Sequence, residues 1–199
     1  MTQRFKVLIL SLAFAFLNNC ERDDICSEGT PTTPRLIIEF YDASEEENLK
    51  NVPNFTVFGE DPGLAAPDNE DNSTAIRLEP FENERLFNSI SNIAKLPLLT
   101  GNEGEETTLR FNLERRTDLR LDEDEMTSSN IDMIEIEYVT RYEYVSRACG
   151  YKSVFTNLRI TVVPDEDNWL ALFFTFPDND NTDNITVENE DSTHINLFH

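Results

Sequence analysis

Three cysteines and a large excess of carboxylates are the residues of this chain whose chemistry is most specific. Cys20 closes an apolar run, Cys26 follows six residues later, and Cys149 lies far along the chain. Cysteine side chains carry lipid, form disulfides or bind metal, and each role needs its own compartment and neighbours. The 39 acidic residues add candidates for a cation site or an acid–base pair. The segments that hold these side chains decide among the roles.

The first residues have the layout of a signal peptide. Arg4 and Lys6 precede the apolar stretch 7–17, after which the chain turns polar. A helix over that stretch would be roughly 17 Å long, well short of the roughly 30 Å hydrocarbon core of a bilayer. We therefore expect the segment to direct export and not to span a membrane alone. Cleavage after Ala15 would release a soluble secreted protein, but it leaves a short apolar region.

The sequence from Leu17 to Cys20 favours a second processing route. It resembles a bacterial lipobox, in which cleavage precedes the cysteine and lipid is attached to it; Asn19 stands where that motif prefers a small residue. Each buried CH₂ contributes about 0.8 kcal/mol, so two acyl chains hold a protein stably on a membrane. We expect a signal peptide at 1–19, a lipid on Cys20 and a polar tether over 20–34. The acidic residues after this cysteine resemble the export tag of Bacteroidetes surface lipoproteins, with a solvated tether as the alternative.

A lipid on Cys20 leaves Cys26 and Cys149 as a pair. Export would place both in a compartment where disulfides persist. A bridge would close a loop of about 120 residues and contribute on the order of 4–5 kcal/mol through loop-closure entropy. It would also fasten the end of the tether to the domain. Two buried thiols are the alternative.

The sequence lacks the common catalytic motifs. It holds no nucleophile elbow, no H-E-x-x-H and no phosphate-binding glycine loop. His194 and His199 are five residues apart, which places them on opposite faces of a strand, so we interpret them as edge or terminal residues. A glycosidase needs two acids roughly 5–9 Å apart, and 39 acids offer no basis for choosing a pair. We predict that the chain is not an enzyme, with a carboxylate-pair hydrolase as the third hypothesis.

Two acidic loops are candidates for calcium. Asp178, Asp180 and Asp183 begin like an EF-hand loop, but the glycine of the sharp turn and the closing glutamate are missing. An irregular calcium site there, or in the acidic loop 68–71, stays open. The alternative is hydrophilic hairpin tips that keep sheet edges soluble. We expect no other cofactor.

Two further features concern the surface. The stretch 191–193 resembles the O-glycosylation acceptor of exported proteins in the same bacterial group, which makes Ser192 a candidate site. Arg147 and Lys152 flank the third cysteine. They contact an anion or a partner or, as we favour, pair across strands with the glutamates of 135–143.

Alternating apolar and polar residues predict one β domain over 35–199. The clearest signal is 131–147, where apolar and tyrosine side chains share one face and charged side chains the other. The segment 169–176, apolar on both faces, predicts a central strand, and 185–199 predicts a closing hairpin. Residues 86–96 fit a helix or a strand. The expected fold is all-β and mainly antiparallel, a sandwich or barrel-like sheet with at most one or two short helices. Further strands are predicted at 35–42, 54–61, 74–81, 107–113, 118–124 and 154–163.

Several short segments resemble an uncharacterised family of flavobacterial-type lipoproteins, known only as a domain of unknown function. They are 23–26, 30–42, 146–155, 168–169 and 194–199. The resemblance covers most of the chain after Cys26. It implies a lipidated or secreted envelope protein with no assigned activity, and both cysteines of the expected bridge lie inside matching segments.

The mature chain that begins at Cys20 is strongly acidic. It holds 14 basic and 39 acidic residues, a balance of −25. Nucleic acid and anionic lipid would repel such a surface. We therefore predict an outer-membrane lipoprotein, held by its lipid, that binds an envelope protein or glycan without catalysis. Display on the cell surface is a further hypothesis. The alternatives are a calcium-dependent glycan-binding or adhesion domain and, for location, the periplasm or the medium.

Overall fold

The computed structural model describes residue 26 and the ranges 33–59, 86–122, 124, 126–171, 174–176 and 185–199. No helix in this part of the chain is long and apolar enough to cross a membrane. The predicted strand at 74–81 lies outside it. The strands within it are, in chain order, β1 (Leu36–Asp42), β2 (Glu45–Leu49), β3 (Val52–Gly59), β4 (Ser89–Ser91), β5 (Ile93–Leu96), β6 (Glu106–Arg115), β7 (Asn130–Ser146), β8 (Gly150–Val162), β9 (Phe174–Thr175), β10 (Ile185–Val187) and β11 (Ile195–Phe198); a short helix, α1 (Thr117–Leu121), joins β6 to β7.

The first sheet is built around β1. Its strand order is β2-β1-β11-β9, and β5 pairs with the first half of β1. β1 and β11 run parallel, with Ile38 opposite Ile195, whereas β2 and β5 pair with β1 in the antiparallel sense. Leu36, Ile38 and Phe40 are fully buried because alternate residues of a strand face the same side.

The second sheet has the order β10-β8-β7-β6-β3-β4, and its pairs are antiparallel. The alternation over 131–147 predicts either one long, bent strand or two strands joined by a bulge. The structure has one continuous strand, β7, which pairs with β6 from Asn130 to Val139 without a break. Its register with β8 shifts between Glu137 and Val139 and again near Ser146. Register shifts of this kind bend and twist long strands. A 17-residue strand therefore fits a compact sheet.

The two sheets pack face to face over one apolar core. Ile134, Ile136 and Tyr138 of β7 belong to the same buried cluster as the inward residues of β1, β5 and β11. Phe40 of the first sheet contacts Phe55 of the second edge to face, with ring centroids 5.2 Å apart. Such ring pairs add about 0.5–1.5 kcal/mol beyond the area that they bury. The expected all-β sandwich, mainly antiparallel and with one short helix among the described residues, is confirmed.

The strand predicted at 118–124 is wrong, because the chain there forms α1. Arg116 has a left-handed backbone (φ 61°), which ends β6 and turns the chain. Thr117 and Arg120 then reach back to one carboxylate, that of Glu114, through side-chain hydrogen bonds of 3.1 and 2.7 Å. Only a coiled backbone brings residues three and six positions after Glu114 to the same group. These tertiary contacts override the local alternation.

The central strand predicted at 169–176 is also wrong. Within its described part only β9 is a strand, and it lies at the edge of the first sheet. Trp169 and Leu170 are buried without being in a strand, since they fill the core at the end of the sandwich. The indole Nε1 of Trp169 donates to the carbonyl of Leu113 at 3.1 Å. Trp169 and Leu170 are therefore apolar because they fill the core, and not because they lie in a central strand.

The hairpin predicted at 185–199 does not form. β10 pairs with β8 in the second sheet, and β11 pairs with β1 in the first. The connection therefore crosses between the sheets, a partner choice that local sequence does not encode. Residues 86–96 resolve as the strands β4 and β5, and the fully exposed β2 was not predicted.

Candidate functional site

The predicted disulfide between Cys26 and Cys149 is confirmed. Its sulfur atoms are 2.08 Å apart and the two Cα atoms 4.8 Å apart. Cys149 lies in the turn between β7 and β8, where its backbone N–H bonds to Ser146 Oγ at 3.0 Å. Gly150 follows with φ +70°, a conformation that residues with a Cβ rarely adopt. The bridge thus joins residue 26 to the end of the hairpin that β7 and β8 form.

The end of this hairpin, residues 141–152, is defined here as the tip. The first five of these residues are exposed on both faces of the strand. Tyr144 and Tyr151 are 62% and 64% exposed, and Tyr142 and Val145 are also exposed. Tyr144 lies opposite Tyr151 across the strands, and their rings meet edge to face at 5.6 Å. The tip therefore presents a pair of tyrosines to its surroundings.

A loop after β5 supports the base of the tip. The hydroxyl of Tyr142 donates a hydrogen bond to the carbonyl of Gly101 at 2.8 Å. The hydroxyl of Tyr138 donates to the carbonyl of Leu99, also at 2.8 Å. The N–H of Gly104 bonds to the Thr140 carbonyl. Burial raises the pKa of Tyr138 far above its ordinary value. The loop holds β7 as far as Tyr142, and the strand continues beyond it.

The charges of the tip differ from those of the domain. Three basic residues and one acidic residue give residues 141–152 a formal charge of +2. Lys152 pairs across the strands with Glu143 at 3.3 Å and lies 4.0 Å from Glu188, so the favoured interpretation holds for this lysine. Arg147 lies in the turn and is exposed.

At the opposite end of the second sheet, Glu114 is fully buried. Its carboxylate accepts hydrogen bonds from Arg120 Nε at 2.7 Å, from Thr117 Oγ1 at 3.1 Å and from Ser129 Oγ at 2.5 Å. Two of these donors belong to α1, and the third, Ser129, directly precedes β7. A buried charge that is paired and hydrogen-bonded in this way fixes local geometry. The Glu114 carboxylate thus connects β6 to α1 and to the start of β7, and its hydrogen-bond partners are side chains of this same chain.

Asp132 is the second fully buried carboxylate of the described residues. Its Oδ2 accepts the backbone N–H of Leu170 at 2.7 Å, which positions the core-filling segment after β8. Burial raises the pKa of Asp132, and this hydrogen bond opposes the rise. Asp132 pairs in register with Leu113, and Glu114 is the next residue, so the two carboxylates point to opposite faces of the sheet. They do not form the pair that a glycosidase needs.

An ion pair between Arg35 and Glu190 connects the segments that precede strands β1 and β11 of the first sheet. Arg35 and Glu190 are joined by two side-chain hydrogen bonds, and Glu190 also accepts the backbone N–H of Arg35 at 3.0 Å. The Arg35 guanidinium holds the pKa of Glu190 below its usual range. The contact fastens the start of β1 to the segment before β11. We therefore interpret this ion pair as a structural contact.

The two histidines occupy separate surroundings. His194 Nδ1 accepts the N–H of Ile37 at 2.9 Å and extends the β1–β11 pairing. His199 packs against Trp169 with ring centroids 5.4 Å apart, and burial lowers its pKa. Both lie at the ends of β11, in agreement with the terminal positions predicted for them. Among the described residues, no group of three or more His, Cys, Asp or Glu side chains is placed to hold a metal ion.

Several sequence-predicted sites lie outside the described residues. They are the lipidation site Cys20, the calcium candidates Asp178, Asp180 and Asp183, and the acidic loop 68–71. Ser192 lies within them and is exposed in the bend before β11.

The chain matches no family model, no curated protein and no solved structure in comparisons with each. Sequence reasoning missed Glu114, Asp132 and the tyrosine pair as special positions. Asp132 carried a readable signal, since it occupies an inward position of β7 in phase with Ile134. Glu114 carried none, because its burial depends on α1.

Proposed function

We propose that this chain is a lipid-anchored protein of the outer membrane whose β domain serves as a non-catalytic binding or assembly module. The observation that carries the proposal is the Cys26–Cys149 disulfide. It accounts for two of the three cysteines and leaves Cys20, at the end of the signal-like segment, for a different role. Disulfides persist in oxidising compartments such as the bacterial periplasm, which supports export.

The arrangement of carboxylates supports a role without catalysis. Both fully buried acids of the described residues accept hydrogen bonds from their own chain and face opposite sides of a sheet. The surface of the domain, by contrast, offers side chains that a partner could contact. Exposed apolar side chains lie at both ends of the second sheet, with Met126 and Ile131 near the start of β7 and the tyrosine pair at the tip. Tyrosine is enriched in protein interfaces, so the contacting pair at the tip supports an interaction module.

The resemblance to flavobacterial-type lipoproteins of unknown function adds to the proposal. The segment 146–155 that carries it includes Cys149 and the second half of the tip. The family assignment is thus part of the same hypothesis: an envelope lipoprotein that contacts an envelope protein or glycan.

Intact-mass analysis of the protein extracted from membranes tests the anchor. We expect the mass of residues 20–199 plus at least two acyl chains, and we expect Cys20→Ala to abolish both the added mass and membrane retention. An unmodified chain that begins after Ala15, recovered from the soluble fraction, would refute the proposal. Crosslinking on intact membranes tests the module, and failure to recover one consistent envelope partner would count against it.

A further inference from the structure

The disulfide limits how far the tip can lie from the anchor. Cys20 precedes Cys26 by six residues, and a fully extended chain spans at most about 3.6 Å per residue, or roughly 20 Å in all. β7 has 17 residues, which at about 3.3 Å each makes it roughly 55 Å long. Cys149 lies at the tip end of that strand. An anchor on Cys20 therefore holds the tip beside the bilayer, with room for the start of β7 to lie farther from it.

We propose that the tip contacts the headgroup region of the bilayer that holds the anchor, with Tyr144 and Tyr151 as interfacial side chains. The inference rests on the proposed lipid at Cys20. Tyrosine is enriched at membrane–water interfaces because its ring is apolar and its hydroxyl stays hydrated. The two rings are packed against each other and more than half exposed, so they form one apolar unit at the end of the hairpin. Val145 is exposed on the other face of β7, so both faces of the tip present an apolar or aromatic side chain.

The distribution of charge favours the same orientation. The tip carries +2 and the tether 21–26 carries −2, so this end of the molecule is neutral as a whole. The rest of the mature chain therefore carries the full −25. Anionic headgroups repel that remainder and leave the neutral end closest to the leaflet. Because the tip and the segment 21–26 together carry no net charge, electrostatic attraction to the leaflet is small and burial of the tyrosines carries the contact, which should persist at high salt.

An envelope protein is the competing occupant of the tip. Two observations favour the bilayer: the six-residue connection to the anchor and the neutral charge of this end. A protein partner would instead favour the acidic surface elsewhere on the domain, or the exposed apolar side chains at the start of β7.

Depth-dependent quenching in vesicles separates the two occupants. The full-length protein, purified with its native anchor, is reconstituted into phosphatidylcholine vesicles with and without brominated acyl chains. Tyr144→Trp reports on the tip. The matched control is Ile90→Trp, which places the same probe on the solvent-facing side of β4, where Ile90 is 71% exposed. Trp169 is buried in the core and gives the same background in both variants.

We expect the emission of the Tyr144→Trp protein to shift to the blue in vesicles and to lose intensity with brominated lipid, at low and at high salt. The Ile90→Trp protein should show neither effect. Tyr151→Trp is the second tip variant if Tyr144→Trp does not fold.

The outcomes are distinct. Acylated protein that floats with vesicles but shows no quenching at the tip overturns the bilayer contact and leaves the proposed function standing. Equal quenching of the tip and β4 probes also overturns it, because the domain would then lie on the membrane without orientation. A chain that carries no acyl group and does not float refutes the proposed function, and the inference fails with it.

Discussion

The two halves of β7 show how one sequence pattern leads to two different surfaces. Both halves place alternate apolar or tyrosine residues on the inward face. In the first half, Ile134, Ile136 and Tyr138 are fully buried, because the first sheet and the loop after β5 cover them. In the second half, Tyr144 on the same face is 62% exposed, since the strand has passed beyond that cover. The difference lies in what packs against the strand.

The disulfide belongs to the half that lacks a core. The first half of β7 is held by burial and by neighbouring strands on both sides. Beyond Val139, β8 is the only strand of the described residues that pairs with β7, and the bridge to Cys26 adds a covalent restraint there. We infer that the first half supplies stability and the tip supplies contact. The predictions below test this division, beginning with the largest expected effect.

Replacing both bridged cysteines, as in Cys26→Ser with Cys149→Ser, should have the largest effect on stability. Removing a link between residues 123 apart frees the unfolded chain and should lower the free energy of unfolding by about 4–5 kcal/mol on the loop-closure estimate. Urea denaturation of the variant and of wild type measures this loss, and reduced wild type serves as the control. A difference below about 1 kcal/mol would show that the bridge only positions the tether.

Two tyrosines on the same face of β7 give the sharpest comparison. Tyr138→Ala should cost about 3–5 kcal/mol, because it removes a fully buried ring and leaves a cavity. Tyr144→Ala should change stability by no more than about 0.5 kcal/mol, as for most exposed positions. Chemical denaturation of the two variants side by side tests the division of the strand. Similar losses from both would contradict it.

Glu114→Ala should cost about 3 kcal/mol, because it leaves Arg120 without the carboxylate that it binds from α1. Glu106→Ala on the same strand is the matched control. Its partner Arg159 is 62% exposed, so solvent screens that pair and the loss should stay below about 1 kcal/mol. Thermal unfolding of both variants and of wild type measures the two losses of stability, and the loss for Glu114→Ala should be the larger. An equal loss would mean that the buried network adds nothing beyond a surface ion pair.

The sandwich and the long strand were predictable because they follow from local alternation. The disulfide was predictable because one cysteine had another candidate role. The helix α1 was not, since Thr117 and Arg120 turn back to Glu114 for tertiary reasons. The hairpin error at 185–199 has a similar cause: β11 pairs in parallel with a strand more than 150 residues earlier. The tyrosines of the tip were visible as a pattern, but their exposure depends on where the opposing cover ends.

Gly150→Ala should lower stability by about 1–2 kcal/mol through backbone strain, since the residue has φ +70° and no atom lies close enough to clash with an added Cβ. Gly150→Asn should cost less, because asparagine tolerates the left-handed region better. Denaturant titration of the two variants with the disulfide intact measures the difference. Equal losses would place the cost in packing and not in the backbone.

Two carboxylates whose pKa values are shifted in opposite directions, Asp132 and Glu190, should give opposite pH dependences. Burial raises the pKa of Asp132 above its ordinary 3.8, so the folded state binds this proton more tightly than the unfolded state does. The contribution of Asp132 to stability is therefore greatest at low pH and falls as pH rises from about 3.8 through the folded pKa. Asp132→Asn removes that fall, and its stability relative to wild type should increase with pH across this window.

Glu190 provides the matched test of sign. Arg35 lowers its pKa below 4.5, so its contribution is present above that pH and is lost as pH falls through the folded value. Glu190→Gln should therefore be less stable than wild type near neutrality and approach it in acid. Urea midpoints of both variants and wild type, measured across acid and neutral pH, give the stability of each variant relative to wild type. This difference should rise with pH for Asp132→Asn, which removes a buried charge, and fall with pH for Glu190→Gln, which removes an ion pair. A flat curve for Asp132→Asn would show that the Leu170 N–H offsets the burial of its carboxylate.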